Sequence, residues 1–179
     1  MIGCWISPYW STGLTVGEHP GWLAHENPSG EPGGMVSVLV ARRPRYGKIL
    51  VCGYLTDVYC LGVKNALGPE LISDTRLRSF IRDYFARYHD DPLPVPIELA
   101  REVVFGSVEY ARGLGFEPHP DFADAAELLG SWTRAGHITF GMNGKPMYFP
   151  GPFDDQPHII RTLTRTVGRG KFDFLSFAG

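Results

Sequence analysis

The spacing of apolar residues changes several times along this chain, and each change predicts an element. From Met35 to Arg43, Val36, Val38 and Val40 alternate with Ser37, Leu39 and Ala41, which is the period of a strand. Pro44 to Gly47 makes a turn. Lys48 to Tyr54 follows as a second strand, apolar on both faces and therefore central, and the two read as a hairpin. Leu55 to Leu67 is mostly apolar with Asp57 and Lys64 inside it. Either the strand continues to about Val63, or the segment folds over the core as a loop.

A helical period then takes over. Ser73 or Asp74 caps a helix with Leu77, Phe80, Ile81, Tyr84, Phe85 and Tyr88 on one face and Arg76, Arg82, Asp83 and Arg87 on the other. The proline-rich stretch from His89 to Pro96 stops it. Pro96 suits the first turn of a second helix, whose inner stripe is Ile97, Ala100, Val104, Val108 and Ala111 and whose stop is Gly113 and Gly115. A short third helix runs from about Pro120 to Leu129, with Phe122, Ala125, Ala126 and Leu129 inward. His137 to Phe149 reads as a hairpin around an Asn143-Gly144 type I′ turn. Asp154 or Asp155 caps a last helix with Pro157 in its first turn, Ile159, Ile160, Leu163 and Val167 inward, and Gly168 as its stop. Lys171 to Phe177 closes the chain as a strand. This order predicts an α+β fold with a mainly antiparallel sheet and helices packed on it.

Residues 1–34 stand apart in composition, with Trp5, Trp10 and Trp22 among many glycines and prolines. A short strand near Cys4 to Trp10 and a long loop pinned by Trp22 are expected there, ahead of a single domain over 35–179. The 179 residues suit one such domain, and 44% hydrophobic with 20% charged content is ordinary globular usage. A net charge of −2 gives no global basic field, so any nucleic-acid contact must be local. No apolar run is long enough to span a bilayer, and Met1 to Pro8 lacks the pattern of a signal peptide. Cys4, Cys52 and Cys60 are odd in number and lack C-x-x-C spacing. Reduced thiols in a cytoplasm are the expectation.

Three strings carry most of the remaining information: Asp57-Val-Tyr-Cys-Leu-Gly-Val-Lys64, Glu109 to Phe122, and Phe140 to Asp155. They resemble a family of uncharacterised bacterial proteins, over most of the chain from about Met35. No activity is attached to that family, so the resemblance implies none and directs attention only to these segments.

Four chemistries are open to the chain. Asp57, Glu109, Asp121 and Asp154 or Asp155 offer carboxylates to a divalent metal, as in hydrolysis of a phosphodiester. Against this, Glu109 shares a polar helix face with Glu98, Glu102 and Arg112, and Asp154 and Asp155 read as caps. Cys60 is a candidate thiol nucleophile, with His119 as its base and Asp121 or Asp57 orienting the imidazole. Pro118 and Pro120 make the His119 loop stiff. The competing account is a buried, inert Cys60 between Tyr59 and Leu61. His119 and Asp121 with His137 or His158 supply mixed ligands for a transition metal. Metal and cofactor otherwise stay unassigned.

The fourth chemistry is phosphate contact. Arg42, Arg43, Arg45 and Lys48 gather at one hairpin turn, where Tyr46 supplies a ring for stacking. Arg161, Arg165 and Arg169 are spaced four apart on the last helix, with Lys171 beyond. If the two groups adjoin they form a basic face. A non-catalytic cytoplasmic protein that contacts nucleic acid or a protein partner through a local basic face is the leading expectation. A hydrolase using Asp57, Cys60, His119 and Asp121 is the alternative.

Overall fold

The computed structural model describes residues 2–44 and 47–175. Arg45, Tyr46 and the expected end of the last strand at Ser176 and Phe177 lie outside them. In chain order the elements are β1 (Gly3–Ile6), β2 (Thr15–Val16), β3 (Met35–Arg42), β4 (Ile49–Asp57), β5 (Gly62–Ile72), α1 (Leu77–Tyr84), β6 (Leu93–Val95), α2 (Ile97–Leu114), α3 (Phe122–Leu129), β7 (Ile138–Thr139), β8 (Met147–Tyr148), α4 (Gln156–Thr166) and β9 (Asp173–Phe174).

Five strands form one antiparallel sheet in the order β5-β4-β3-β1-β6. The fold is therefore α+β with helices packed on a mainly antiparallel sheet. Alternation along the strands sorts side chains to two faces. Val38, Val40, Cys52 and Tyr54 face the main core with Val103, Val104 and Val108 of α2 and Ala125 of α3. Ala41, Ile49, Val51 and Ile72 face the other side, under Leu77 and Phe80 of α1. A smaller cluster of Cys60, Leu61, Leu114, Tyr148, Ile159 and Leu163 fastens α4 to the end of α2.

The differences from the sequence expectations have physical causes. Segment 1–34 holds the expected short strand and a loop pinned by Trp22, and it packs into the same core as the rest. β1 sits inside the sheet, hydrogen-bonded to β3 on one side and β6 on the other, and Trp10 and Trp22 are buried in the main core. The longest strand, β5, carries Asn65, Gly68, Pro69 and Glu70, which hid its period. It is an edge strand, where proline and polar residues are tolerated. β6 was masked in the same way by Pro94, and it forms the opposite edge.

The hairpin expected over 137–149 is reduced to a single antiparallel bridge, Met142 to Lys145, around its turn. Asn143 and Gly144 do turn with positive φ, 53° and 80°, but β7 pairs with β2 and β8 pairs in parallel with β9. Backbone bonds from Gly141 to Val58 and from Asn143 to Gly13 hold the connecting segment to the body of the sheet instead. At the end of the chain, the rings of Phe172 and Phe174 lie 6.0 Å apart, the first buried and the second exposed.

Candidate functional site

Asp57 ends β4 and opposes Gly62 at the start of β5, so residues 58–61 form the turn between them. Gly62 has φ of 68°, and a Cβ there would lie 2.8 Å from Ala111 Cβ and 3.0 Å from the Ser107 carbonyl oxygen. Glycine lets the turn close against α2. The Asp57 carboxylate fills the turn. Its Oδ1 accepts the N–H groups of Tyr59 at 2.9 Å and Cys60 at 3.1 Å, and its Oδ2 accepts that of Leu61 at 3.1 Å. Burial pushes its pKa up to about 6, against the three N–H donors and the Lys64 charge, which favour the anion. Asp57 is thus a structural acceptor that organises the turn.

Cys60 lies in the same turn and is fully buried. Burial first, then the Asp57 carboxylate, push its thiol well above the ordinary cysteine range, which is the reverse of an activated nucleophile. His119 does approach, but through its backbone: its N–H donates to the Val63 carbonyl at 2.9 Å. Its ring bonds locally, with Nδ1 accepting the Asp121 N–H at 3.3 Å and lying 3.6 Å from Asp121 Oδ2. Both side chains are open to solvent. Among the described residues no hydrogen bond or ion pair joins Asp57 or Cys60 to His119 or Asp121. The four residues form two separate local motifs, and the proposed thiol triad is not assembled.

The carboxylate set fails to converge for similar reasons. Asp154 is bound by Lys64 Nζ at 2.7 and 2.9 Å, by the Gly151 N–H at 2.8 Å and by the Tyr148 hydroxyl at 3.2 Å. Burial would raise its pKa, but Lys64, Gly151 and Tyr148 outweigh this and hold it below the ordinary value. Asp155 caps α4 by accepting the His158 N–H at 3.1 Å. Glu109 is exposed beside Arg112. His137 stands against the rings of His19 and Trp22. Among the described residues no group of three or more His, Cys, Asp and Glu side chains is placed to hold a metal ion.

The basic residues divide. Arg42 donates to the Leu129 carbonyl at 3.0 Å, where Arg101 also donates, so it closes the C-terminus of α3 rather than facing a ligand. Arg43 is held by both oxygens of Asp74 at 2.7 and 2.6 Å. Lys48 is exposed, and Arg45 lies outside the described residues. Arg161, Arg165 and Arg169 are all exposed, and none has a side-chain partner among the described residues. Arg169 follows the end of α4 at Thr166, so the helical row itself holds only Arg161 and Arg165. The two groups do not adjoin. Arg42 opposes Leu50 near one end of the β3–β4 pair, while α4 packs on the turn beyond Asp57 at the other. Seven steps of strand from Leu50 to Asp57 put those positions roughly 23 Å apart.

One buried charge went unread in the sequence. Glu102, assigned to a solvated helix face, is only 2% exposed. Its Oε2 accepts the Trp132 indole N–H at 3.0 Å and the Ala135 N–H at 3.3 Å, and its Oε1 accepts the Gly136 N–H at 3.0 Å. The available signal was its neighbourhood: Leu99, Val103, Val104 and Phe105 make α2 apolar over more than one stripe, as in a helix covered on several sides. Glu102 lines a cleft on each side of segment 131–136, of about 280 and 330 Å³. No helix among the described residues is long and apolar enough to cross a membrane. No known protein family, curated protein or solved structure matches the chain.

Proposed function

We propose that the chain is a non-catalytic cytoplasmic binding protein that contacts nucleic acid through the outer face of α4 and the residues that follow it. The observation that carries this reading is the contrast between engaged and free cations. Arg42, Arg43, Arg76, Arg82, Arg101 and Arg112 each have a carboxylate or carbonyl partner, whereas Arg161, Arg165, Arg169 and Lys171 have none among the described residues and follow one another along α4 and its exit; Lys48, Arg78 and Arg134 are also unpartnered there but stand singly along the chain. Ile159, Thr162 and Leu163 turn the other side of α4 into the core, which fixes the arginine row outward. Phe153, 98% exposed just ahead of the same helix, offers a ring on which an unpaired base can stack. Cys52 and Cys60 are buried thiols, which is consistent with a reducing compartment.

The test is fluorescence anisotropy with a labelled single-stranded oligonucleotide at several salt concentrations. Four phosphate contacts give a log–log salt slope of about −2.8, or roughly 50-fold weaker binding between 50 and 200 mM salt. Absence of binding at 50 mM salt refutes the reading. Binding that does not respond to salt refutes the phosphate contacts.

A further inference from the structure

Segment 131–136 crosses the outside of α2 without regular structure, between Gly130 and Gly136, whose φ values are 78° and 71°. Glu102 pins it through three hydrogen bonds, two of them to main-chain N–H groups. This holds open, beneath the segment, the cleft of about 330 Å³, which is within the range of small-ligand sites. Glu102, Glu109, Tyr110, Trp132, Arg134 and Phe140 give the cleft its chemistry. Two carboxylates and one guanidinium leave its lining with a formal charge of −1. Trp132 is stacked against Phe105 at 5.7 Å between ring centroids, and Tyr110 against Phe140 at 5.9 Å, so the aromatic walls are braced in place.

Carboxylates beside aromatic rings favour a cation, the rings through their electron-rich faces and the carboxylates through charge. Among the described residues Glu102 Oε1 accepts one N–H, from Gly136, and a carboxylate oxygen has capacity for a second. We propose that this cleft binds a small planar organic cation bearing N–H donors, of the amidinium class, with its flat body against Trp132 and Tyr110 and its charge toward Glu102 and Glu109. The site is independent of the α4 arginines.

The experiment uses the full chain and benzamidine as probe, followed by saturation-transfer NMR and tryptophan fluorescence, with neutral benzamide as the isosteric control. Benzamidine is expected to saturate the protein and to bind at least about tenfold more tightly than benzamide, the difference expected of one charged hydrogen bond. Thr139→Trp fills the cleft from an exposed position on β7 and is expected to abolish binding. Glu109→Gln, also at an exposed position, is expected to weaken binding about threefold while leaving the fold intact. Arg161→Glu with Arg165→Glu is expected to leave benzamidine binding unchanged. Equal affinity for the two probes, no saturation by about 10 mM benzamidine, or undiminished binding in a folded Thr139→Trp protein each overturns the proposal.

Discussion

Replacing Asp57 separates a structural carboxylate from a catalytic one. In Asp57→Ala the N–H groups of Tyr59, Cys60 and Leu61 lose their acceptor within a buried turn. Each unsatisfied donor costs about 1–3 kcal/mol, and partial relaxation of the turn limits the sum to about 3–5 kcal/mol. Asp57→Asn keeps an oxygen for Tyr59 and Cys60 but sets an amide donor against the Leu61 N–H, for a loss of about 1–3 kcal/mol. The pH dependence adds a second signature. Burial raises the Asp57 pKa from 3.8 to about 6, so the folded protein binds this proton more tightly than the unfolded chain. The resulting contribution is fully present below pH 3.8 and is lost as pH rises through 6. At about 1.4 kcal/mol per unit, it amounts to about 3 kcal/mol. Urea unfolding at pH 4.5, 5.5 and 7 measures both effects. Asp57→Asn should flatten the stability of the protein across this range relative to wild type. An Asp57→Ala protein within about 0.5 kcal/mol of wild type at pH 7 refutes the capping account.

The opposite sign is expected at Asp154. Its depressed pKa makes the contribution of the Lys64 pair present at neutral pH and lost as pH falls through a value below 3.8. Lys64→Met should therefore cost about 2 kcal/mol at pH 7, less than for a fully buried pair because Lys64 is 22% exposed, and should approach wild type in acid when both are unfolded with urea. Gly62→Ala combines a left-handed φ of 68° with a Cβ 2.8 Å from Ala111 and should cost about 3 kcal/mol by the same assay. A loss under 1 kcal/mol would show that α2 yields at this contact. Trp132→Phe keeps the ring on Phe105 and removes the bond to Glu102, so hydrogen exchange at Ala135 and Gly136 should accelerate while that of the sheet is unchanged.

The sequence was informative where one local rule acted alone. Alternation marked β3, a run apolar on both faces marked β4, glycine stopped α2 at Gly115, and the Asp155 cap with Pro157 started α4. It misled where tertiary partners decided. β5 and β6 are strands because the sheet has room at its edges, although their prolines and polar residues argue against a strand in isolation. The Asn143-Gly144 turn is real, yet its flanks are captured by β2 and β9, which nothing between His137 and Phe149 announces.

The candidate site was legible to the same degree. Asp57 drew notice as a charge in an apolar run, and it is indeed buried, but its three partners are main-chain groups without a sequence signature. The arginine clusters looked alike as strings. Only the fold shows that Arg42 and Arg43 hold the protein together while Arg161 and Arg165 have no partner among the described residues. Glu102 escaped because helical spacing puts it in line with Glu98 and Glu109, and the segment that covers it lies some thirty residues farther on.

The account stands most directly on where a nucleic acid would touch the protein. The decisive measurement is oligonucleotide anisotropy at 50 mM salt for wild type, for Arg161→Glu with Arg165→Glu, and for Lys48→Glu at the opposite end of the sheet. The account predicts that the α4 double reversal weakens binding at least tenfold and lowers the salt slope by about 1.4, while Lys48→Glu binds as wild type. Binding that survives the α4 reversal, or that is lost in Lys48→Glu alone, contradicts it.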